Sequence, residues 1–223
     1  MLEAKNIHKV YNNGKKELRV LKGIELNIEK GEFIAIVGPS GAGKSTLLHI
    51  LGGLDNPTEG KVFFEQEDIY TLPDREISKI RNTRIGFVFQ FYHLLSEFNC
   101  LENVLMPALI SREPKTYNLE PKERALNLLK DVGLAERIDH FPSQLSGGEK
   151  QRVAIVRGLI NNPAMLLCDE PTGNLDSKTG EEIISLIKKT NLENQMAVVL
   201  VTHNIELTKQ ADKVYHLRDG LMV

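Results

Sequence analysis

The sequence predicts an α/β fold, and three observations carry that prediction. Short apolar runs at residues 33–37, 85–89, 165–168 and 196–201 have strand length and are bounded by turn or polar residues. Segments with helical spacing separate them, the order expected of strand–helix units. One junction, Gly38-Pro39-Ser40-Gly41-Ala42-Gly43-Lys44-Ser45-Thr46, fits G-x-x-x-x-G-K-[ST].

That junction has the flanks its chemistry needs. The strand 33–37 precedes it, and the helical run 47–51, closed by Gly52-Gly53, follows it. Glycines let the backbone wrap a phosphate chain and aim successive N–H groups at it. The helix N-terminus adds partial positive charge. Gly38, Ser40, Gly41, Gly43 and Thr46 form the expected cradle. Lys44 reaches β- and γ-phosphates, and Ser45 holds Mg²⁺. A chance glycine turn containing a lysine would not require both flanks.

The 223 residues are 41% hydrophobic and 26% charged, which suits one large domain or a domain with a sub-domain. The net charge of −2 gives no basic face, so nucleic acid is not expected as a partner. The longest apolar runs, such as 197–201, fall far short of the roughly 20 residues that span a bilayer. Met1-Leu2-Glu3-Ala4-Lys5 is no signal region. Cys100 and Cys168 lack metal spacing, so the expectation is a soluble, reduced, cytoplasmic protein without a structural disulfide.

Taken in order, residues 2–30 alternate apolar and polar positions, with a hairpin turn expected at 11–15 and a strand at 20–28. Tyr11 has two readings, a stacking surface for a base or a strand-end tyrosine with a wet hydroxyl. A turn at 55–60 leads to a strand at 61–64 and a polar helix at about 73–84. Gln90 ends the strand at 85–89, where it either reaches a ligand crevice or is a surface residue.

Residues 91–160 read as mostly helical. The stretch 102–110 is apolar but interrupted by Pro107, and 111–119 reads as a loop. Pro121 opens a helix whose apolar face is Ala125, Leu126, Leu128 and Leu129, with Gly133 past its end. Phe91, Tyr92, Leu94, Leu95 and Phe98 either fill a small helical core or line a groove for a partner's helix. Ser146 and Glu149 form S-x-x-E, a capping-box pattern, ahead of Val153, Val156, Leu159 and Ile160. Gly147 and Gly148 in that first turn cost about 1 kcal/mol each against alanine. Either an anion approaches there or the helix is simply capped.

The run 165–168 ends on Asp169 and Glu170. Asp169 suits the Mg²⁺ that Ser45 also holds, and Glu170 suits a general base. Asp176 or Ser177 caps the next helix, with Glu181 and Glu182 expected in its first turn and Lys188 and Lys189 in its last. The strand 196–201 ends at Thr202-His203. His203 either bonds a γ-phosphate or is structural. Residues 212–223 read as a hairpin around Asp219-Gly220.

In this order the motifs resemble the ATP-binding-cassette (ABC) ATPases over essentially the whole chain. Leu145-Ser146-Gly147-Gly148-Glu149 looks like that family's signature. The resemblance implies that Tyr11 stacks on adenine and that Gln90 contacts Mg²⁺ and links ATP to the partner. It implies that Asp169 and Glu170 are the Mg²⁺ aspartate and catalytic glutamate, and that His203 is the switch histidine. Asn174-Leu175-Asp176 matches the loop that crosses the dimer interface. The implied architecture is a RecA-like P-loop NTPase core (about 1–90 and 158–223) with an N-terminal antiparallel β sub-domain and an inserted helical sub-domain (about 91–157). A homodimer forms on ATP binding, with ATP between one subunit's loop and the other's Ser146, Gly147 and Gly148. Asn174 and Gly158 depart from the family's commoner small residue and alanine, without touching hydrolysis.

The stretch 170–176 resembles the group of lipoprotein-releasing, macrolide-exporter and cell-division ATPases. Residues 90–95 with 101–107 are most similar to its lipoprotein-releasing (Lol-type) members. The expectation is an ATPase that powers an inner-membrane transporter from the cytoplasmic side, meeting permease subunits from about Phe91 to Leu105. The alternative is an ATP-gated regulator of a cell-envelope or cell-division partner. A DNA-repair ABC ATPase would need a coiled-coil insertion or zinc cysteines, and a small-molecule kinase leaves 145–149 unexplained.

Overall fold

A computed structural model describes residues 1–12, 14, 17–110 and 120–223. The turn expected at 11–15 lies partly outside these residues, and the loop expected at 111–119 lies wholly outside them. The chain opens with β1 (Leu2–Asn12) and β2 (Glu17–Ile28), paired antiparallel. Then come β3 (Phe33–Val37), every residue of it buried, and α1 (Lys44–Leu51). Next are β4 (Glu59–Phe64), the short β5 (Glu67–Asp68), α2 (Asp74–Thr83) and β6 (Ile85–Phe89). Helices α3 (Cys100–Ile110), α4 (Pro121–Asp131) and α5 (Gly147–Leu159) follow. The chain closes with β7 (Met165–Asp169), α6 (Ser177–Asn194), β8 (Ala197–Thr202), β9 (Lys213–Arg218) and β10 (Leu221–Met222).

The described strands form two sheets. The first runs β2-β1-β4-β5 and is antiparallel. The second runs β10-β9-β3-β8-β7-β6, parallel except for the β10 edge. The α/β core with an N-terminal antiparallel sheet expected of a P-loop NTPase is therefore present. Helix α1 lies between the sheets. Its Leu47, Leu48, Ile50 and Leu51 share one apolar cluster with Leu2, Ile7 and Ile24 of the first sheet and Ile34, Ile36 and Val199 of the second. Enclosure between the sheets explains the apolar residues Leu47, Leu48, Ile50 and Leu51, while the first turn stays polar at the cavity. Truncating one such side chain to alanine costs about 2–5 kcal/mol.

A second cluster packs α5 and α6 on the parallel sheet's other face through Ile155, Ile183, Ile184 and Ile187. A third joins α3, α4 and α5 through Cys100, Val104, Ala125, Leu129, Val153 and Val156. The aromatic cluster expected nearby does not fill this core. Phe91 is 66% exposed and Leu95 43%, and only Leu94 packs against it.

Two helices differ from expectation. Helix α3 runs through Pro107 instead of being interrupted by it. Proline withholds one N–H, but its carbonyl is held by the side-chain amides of Asn82 and Asn161 at 3.0 and 3.2 Å, and the surrounding apolar packing carries the turn. Helix α6 starts at Ser177, which puts Glu181 and Glu182 beyond its first turn, and continues to Asn194, which puts Lys188 and Lys189 before its last. Ile183, Ile184 and Ile187 carry the buried face, and the Asn191 amide then donates to the carbonyls of Gly31 and Met196. The helix stops at Gln195, which adopts the left-handed conformation (φ 50°). The Asp219-Gly220 hairpin is as expected, with φ values of 50° and 79°.

Candidate functional site

The sheet's register builds the site. Phe89 pairs with Asp169, Asp169 with Val201, and Thr202 with Val37. The carboxyl ends of β6, β7, β8 and β3 are thus level. The residues just past that row are Gln90, Glu170, His203 and Gly38. Side chains from four segments distant in sequence meet there, outside the carboxyl ends of parallel strands, where open α/β sheets bind ligands.

Ser40, Gly41, Gly43, Lys44, Ser45, Thr46, Gln90, Glu170 and His203 line one cavity of about 550 Å³, together with Val20. Gly41 and Gly43 have φ values of 79° and 103°, conformations that L side chains rarely adopt. Gly38 lies beneath the loop. A Cβ there would sit 2.1 Å from the Leu217 carbonyl oxygen, so the loop folds directly onto β9.

Lys44 is 7% exposed and donates to the carbonyls of Gly38 and Pro39 at 2.9 and 3.0 Å. Its Nζ is 3.8 Å from Glu170 Oε1, and His203 Nδ1 is 2.8 Å from Glu170 Oε2. Glu170 has φ 46°, and its N–H donates to the Val201 carbonyl at 2.9 Å. The neighbouring strand therefore fixes the strained residue that presents this carboxylate. Ser45 Oγ donates to Asp169 Oδ1 at 3.0 Å. Burial pushes the Asp169 carboxyl above its ordinary value, with Ser45 opposing that shift. A desolvated carboxylate beside a hydroxyl is a partial ligand set for a hard cation. Among the described residues no group of three or more His, Cys, Asp and Glu could hold a metal. A site here would draw its remaining ligands from elsewhere.

Gln90 is gripped by the next loop. Asn174 Nδ2 donates to the Gln90 carbonyl at 3.0 Å, and Gln90 Nε2 reaches Asn174 Oδ1 at 3.5 Å. A Cβ on Gly173 would stand 2.6 Å from Gln90 Nε2.

The remaining expected residues lie outside the cavity lining. Ser146 caps α5 in a complete capping box, as its spacing predicts. Glu149 is held at about 2 by the Ser146 N–H first, then by Arg137 at 3.0 Å and the Ser146 hydroxyl. The two glycines after the cap are pressed by this chain itself. A Cβ on Gly148 would meet Thr179 Cγ2 at 2.7 Å, and one on Gly147 the Tyr92 hydroxyl at 3.1 Å. Asp176 caps α6, accepting from Thr179 N–H at 3.0 Å. Tyr11 donates to Asp55 at 2.7 Å.

Comparison with known proteins decides the family. The description "ABC transporter" matches residues 21–173. The chain belongs to the ABC transporter ATP-binding family. This cassette is 49% identical to the lipoprotein-releasing system ATP-binding protein LolD of Acinetobacter baylyi, covering 100% of this chain and 97% of that one. It is 50% identical to LolD of Bdellovibrio bacteriovorus, covering 98% of each. Among solved structures it superposes on the dimeric ABC cassette MJ0796 with a TM-score of 0.90 and 46% identity, covering 99% of this chain and 95% of that one. MJ0796 has also been captured as a post-hydrolysis dimer with ADP and Pi. This chain is an ABC ATPase, the ATP-binding subunit of an ABC transporter.

Sequence reasoning missed Lys9 and Asp55, which hold Tyr11, and the grip of Asn174 on Gln90. No local spacing links Lys9 to a turn 46 residues away. Asn174 stood out only as the larger residue in a place where a small one is common. No described helix is long and apolar enough to cross a membrane.

Proposed function

We propose that this cassette hydrolyses Mg²⁺-ATP as a homodimer and drives a lipoprotein-releasing transporter of the inner membrane from its cytoplasmic face. The observation that carries the catalytic part is the convergence of Lys44 and His203 on the Glu170 carboxylate in the lining of the phosphate-loop cavity. The transport part rests on the likeness to LolD.

Each expected residue has a role in this reading. Tyr11 takes the adenine. Gly38, Ser40, Gly41, Gly43, Lys44 and Thr46 take the phosphates. Ser45, Asp169 and Gln90 fit Mg²⁺, a cation that uses one or two carboxylates and completes its shell with water and phosphate. Mg²⁺ supplies charge neutralisation at the phosphate oxygens. Glu170 accepts the proton of the attacking water. His203 donates its Nδ1–H to Glu170, so a neutral ring turns an acceptor outward. Contact with a γ-phosphate oxygen calls for the imidazolium or a turn of the ring. Lys44 exchanges the two loop carbonyls for phosphate oxygens.

A second copy supplies Ser146, Gly147, Gly148 and Asp176, which this chain leaves outside its own cavity. Residues 91–157 act as a helical lobe on a core of 1–90 and 158–223. The exposed Phe91 and Leu95 face the permease. The test is to purify the complex from membranes, identify its integral subunits and reconstitute it with a labelled lipoprotein. ATP-dependent release supports the proposal. A complex that lacks any transport activity and instead controls an envelope regulator overturns it in favour of an ATP-gated regulatory role.

A further inference from the structure

A polar network behind the cavity explains how Tyr11 is aimed. Lys9 stands two residues before Tyr11 on β1, so both side chains share one face of that strand. Lys9 is 8% exposed, unusual for a lysine unless it is paired. Its Nζ donates to Asp55 Oδ1 and to the Asn56 carbonyl, each at 2.6 Å. The other Asp55 oxygen accepts from the Tyr11 hydroxyl at 2.7 Å. The Asp55 carbonyl lies 2.6 Å from the Tyr70 hydroxyl, which also reaches the Ile50 carbonyl at 2.5 Å. Asp55 is therefore held at its backbone from one side and at its carboxylate from the other.

The Lys9 ammonium also stands 4.8 Å from the Tyr11 ring centroid, a cation–π distance. One ring face is thus covered, while the hydroxyl is tied to Asp55. Burial disfavours ionised Asp55, but the hydrogen bonds from Lys9 and Tyr11 outweigh it and hold the carboxyl below its usual range. Asp55 is therefore an ionised acceptor around neutral pH, and its side of the clamp is intact there.

We infer that Lys9 and Asp55 are positioning residues for the nucleotide's base: they hold the Tyr11 ring by its hydroxyl with one face covered by the Lys9 ammonium, leaving the other for a purine. The inference rests on the proposed reading of Tyr11 as the base-stacking residue. None of Lys9, Tyr11 and Asp55 lines the phosphate-loop cavity, so the clamp alters affinity for a nucleotide without altering affinity for bare phosphates.

Calorimetric titration of the full chain with Mg²⁺-ADP and, separately, with inorganic pyrophosphate tests this without turnover. Tyr11→Ala, Tyr11→Phe, Asp55→Asn and the double variant Lys9→Met/Asp55→Asn are compared with wild type. The double variant leaves no lone buried charge, and Tyr11→Phe keeps the ring, so a failure of Asp55→Asn to fold does not end the test. The expected result is ADP binding weakened about 3- to 10-fold, the usual worth of one oriented aromatic contact, with pyrophosphate binding changed by less than about twofold. Equal weakening of both ligands overturns the inference, because the network then merely supports the loop. Weakened ADP binding in Tyr11→Ala with wild-type binding in the other variants overturns the positioning role and leaves the stacking role intact. Unchanged ADP binding in Tyr11→Ala removes both.

Discussion

His203 Nδ1 and Glu170 Oε2 are 2.8 Å apart, and the two residues come from adjacent parallel strands whose ends the register holds level. The Glu170 carboxylate is held at both oxygens, by His203 on one and by Lys44 at 3.8 Å on the other. A carboxylate so oriented has little freedom to lose when it accepts a proton from water, and this is the geometric part of general-base catalysis. Glu170→Gln keeps the shape and removes the base. Steady-state phosphate release should fall by roughly 10²- to 10⁴-fold, with ATP binding retained. Unchanged turnover would take Glu170 out of this role.

Gly38 makes a purely steric prediction. Its Cβ would stand 2.1 Å from the Leu217 carbonyl oxygen, a backbone atom that cannot rotate aside. Gly38→Ala must push the loop off β9, at a cost of about 1–3 kcal/mol or more by the usual measure of overpacking. Urea unfolding should show that loss, and nucleotide affinity should fall with it because the cradle moves. Gly41→Ala is the comparison. Nothing lies within 4 Å of its added Cβ, so any penalty there comes from its φ of 79° alone.

These two cases separate what the sequence makes legible from what it hides. Strand β3, the loop and α1 are readable because each obeys a local rule: an apolar run, fixed glycines, a helix start. The capping box at Ser146 and the Asp219-Gly220 hairpin are readable for the same reason. The length of α6 is not, since its stop is Gln195 in a left-handed conformation with no glycine to announce it. Neither is the helix through Pro107, because the partners of its carbonyl, Asn82 and Asn161, lie 25 and 54 positions away. The Lys9–Asp55 pair is hidden likewise. At Gly147 and Gly148 the sequence alone shows a helix cost that either an approaching anion or a plain cap would leave in place. A Cβ on Gly148 would stand 2.7 Å from Thr179 Cγ2, and one on Gly147 tightly against Tyr92 and Leu175, so packing within the chain is itself a reason for small residues there.

Glu149 sets a pH dependence. Its carboxyl is held at about 2 by the Ser146 N–H, then by Arg137 and the Ser146 hydroxyl. A carboxylate whose pKa is depressed on folding stabilises the native state above its unfolded pKa, near 4.3. That stability drains away as pH falls toward 2. Glu149→Gln keeps an acceptor for the cap but loses the charge. The urea midpoint of the variant should lie below wild type at pH 7 by a constant margin down to about pH 5, and the gap should then narrow with acid. A gap independent of pH between 3 and 7 would show that the charge contributes nothing.

The N-terminus of α5 tests the dimer. Ser146 satisfies itself within the chain: its hydroxyl donates to Glu149 Oε2 at 2.8 Å and accepts from the Glu149 N–H at 3.3 Å. None of Ser146, Gly147 and Gly148 lines this chain's own cavity, so a nucleotide role for them requires a second copy. In a Glu170→Gln background, ATP should convert the protein to a dimer, read by light scattering. Adding Ser146→Arg should abolish that dimer while monomer affinity for ADP is kept. Arginine also removes the cap, worth about 1 kcal/mol, so Ser146→Ala is the control: it loses the cap without adding bulk or charge. If Ser146→Ala dimerises and Ser146→Arg does not, the serine faces the partner's nucleotide. If Ser146→Arg dimerises as well as the parent, the two copies do not meet across α5, and the composite site is refuted.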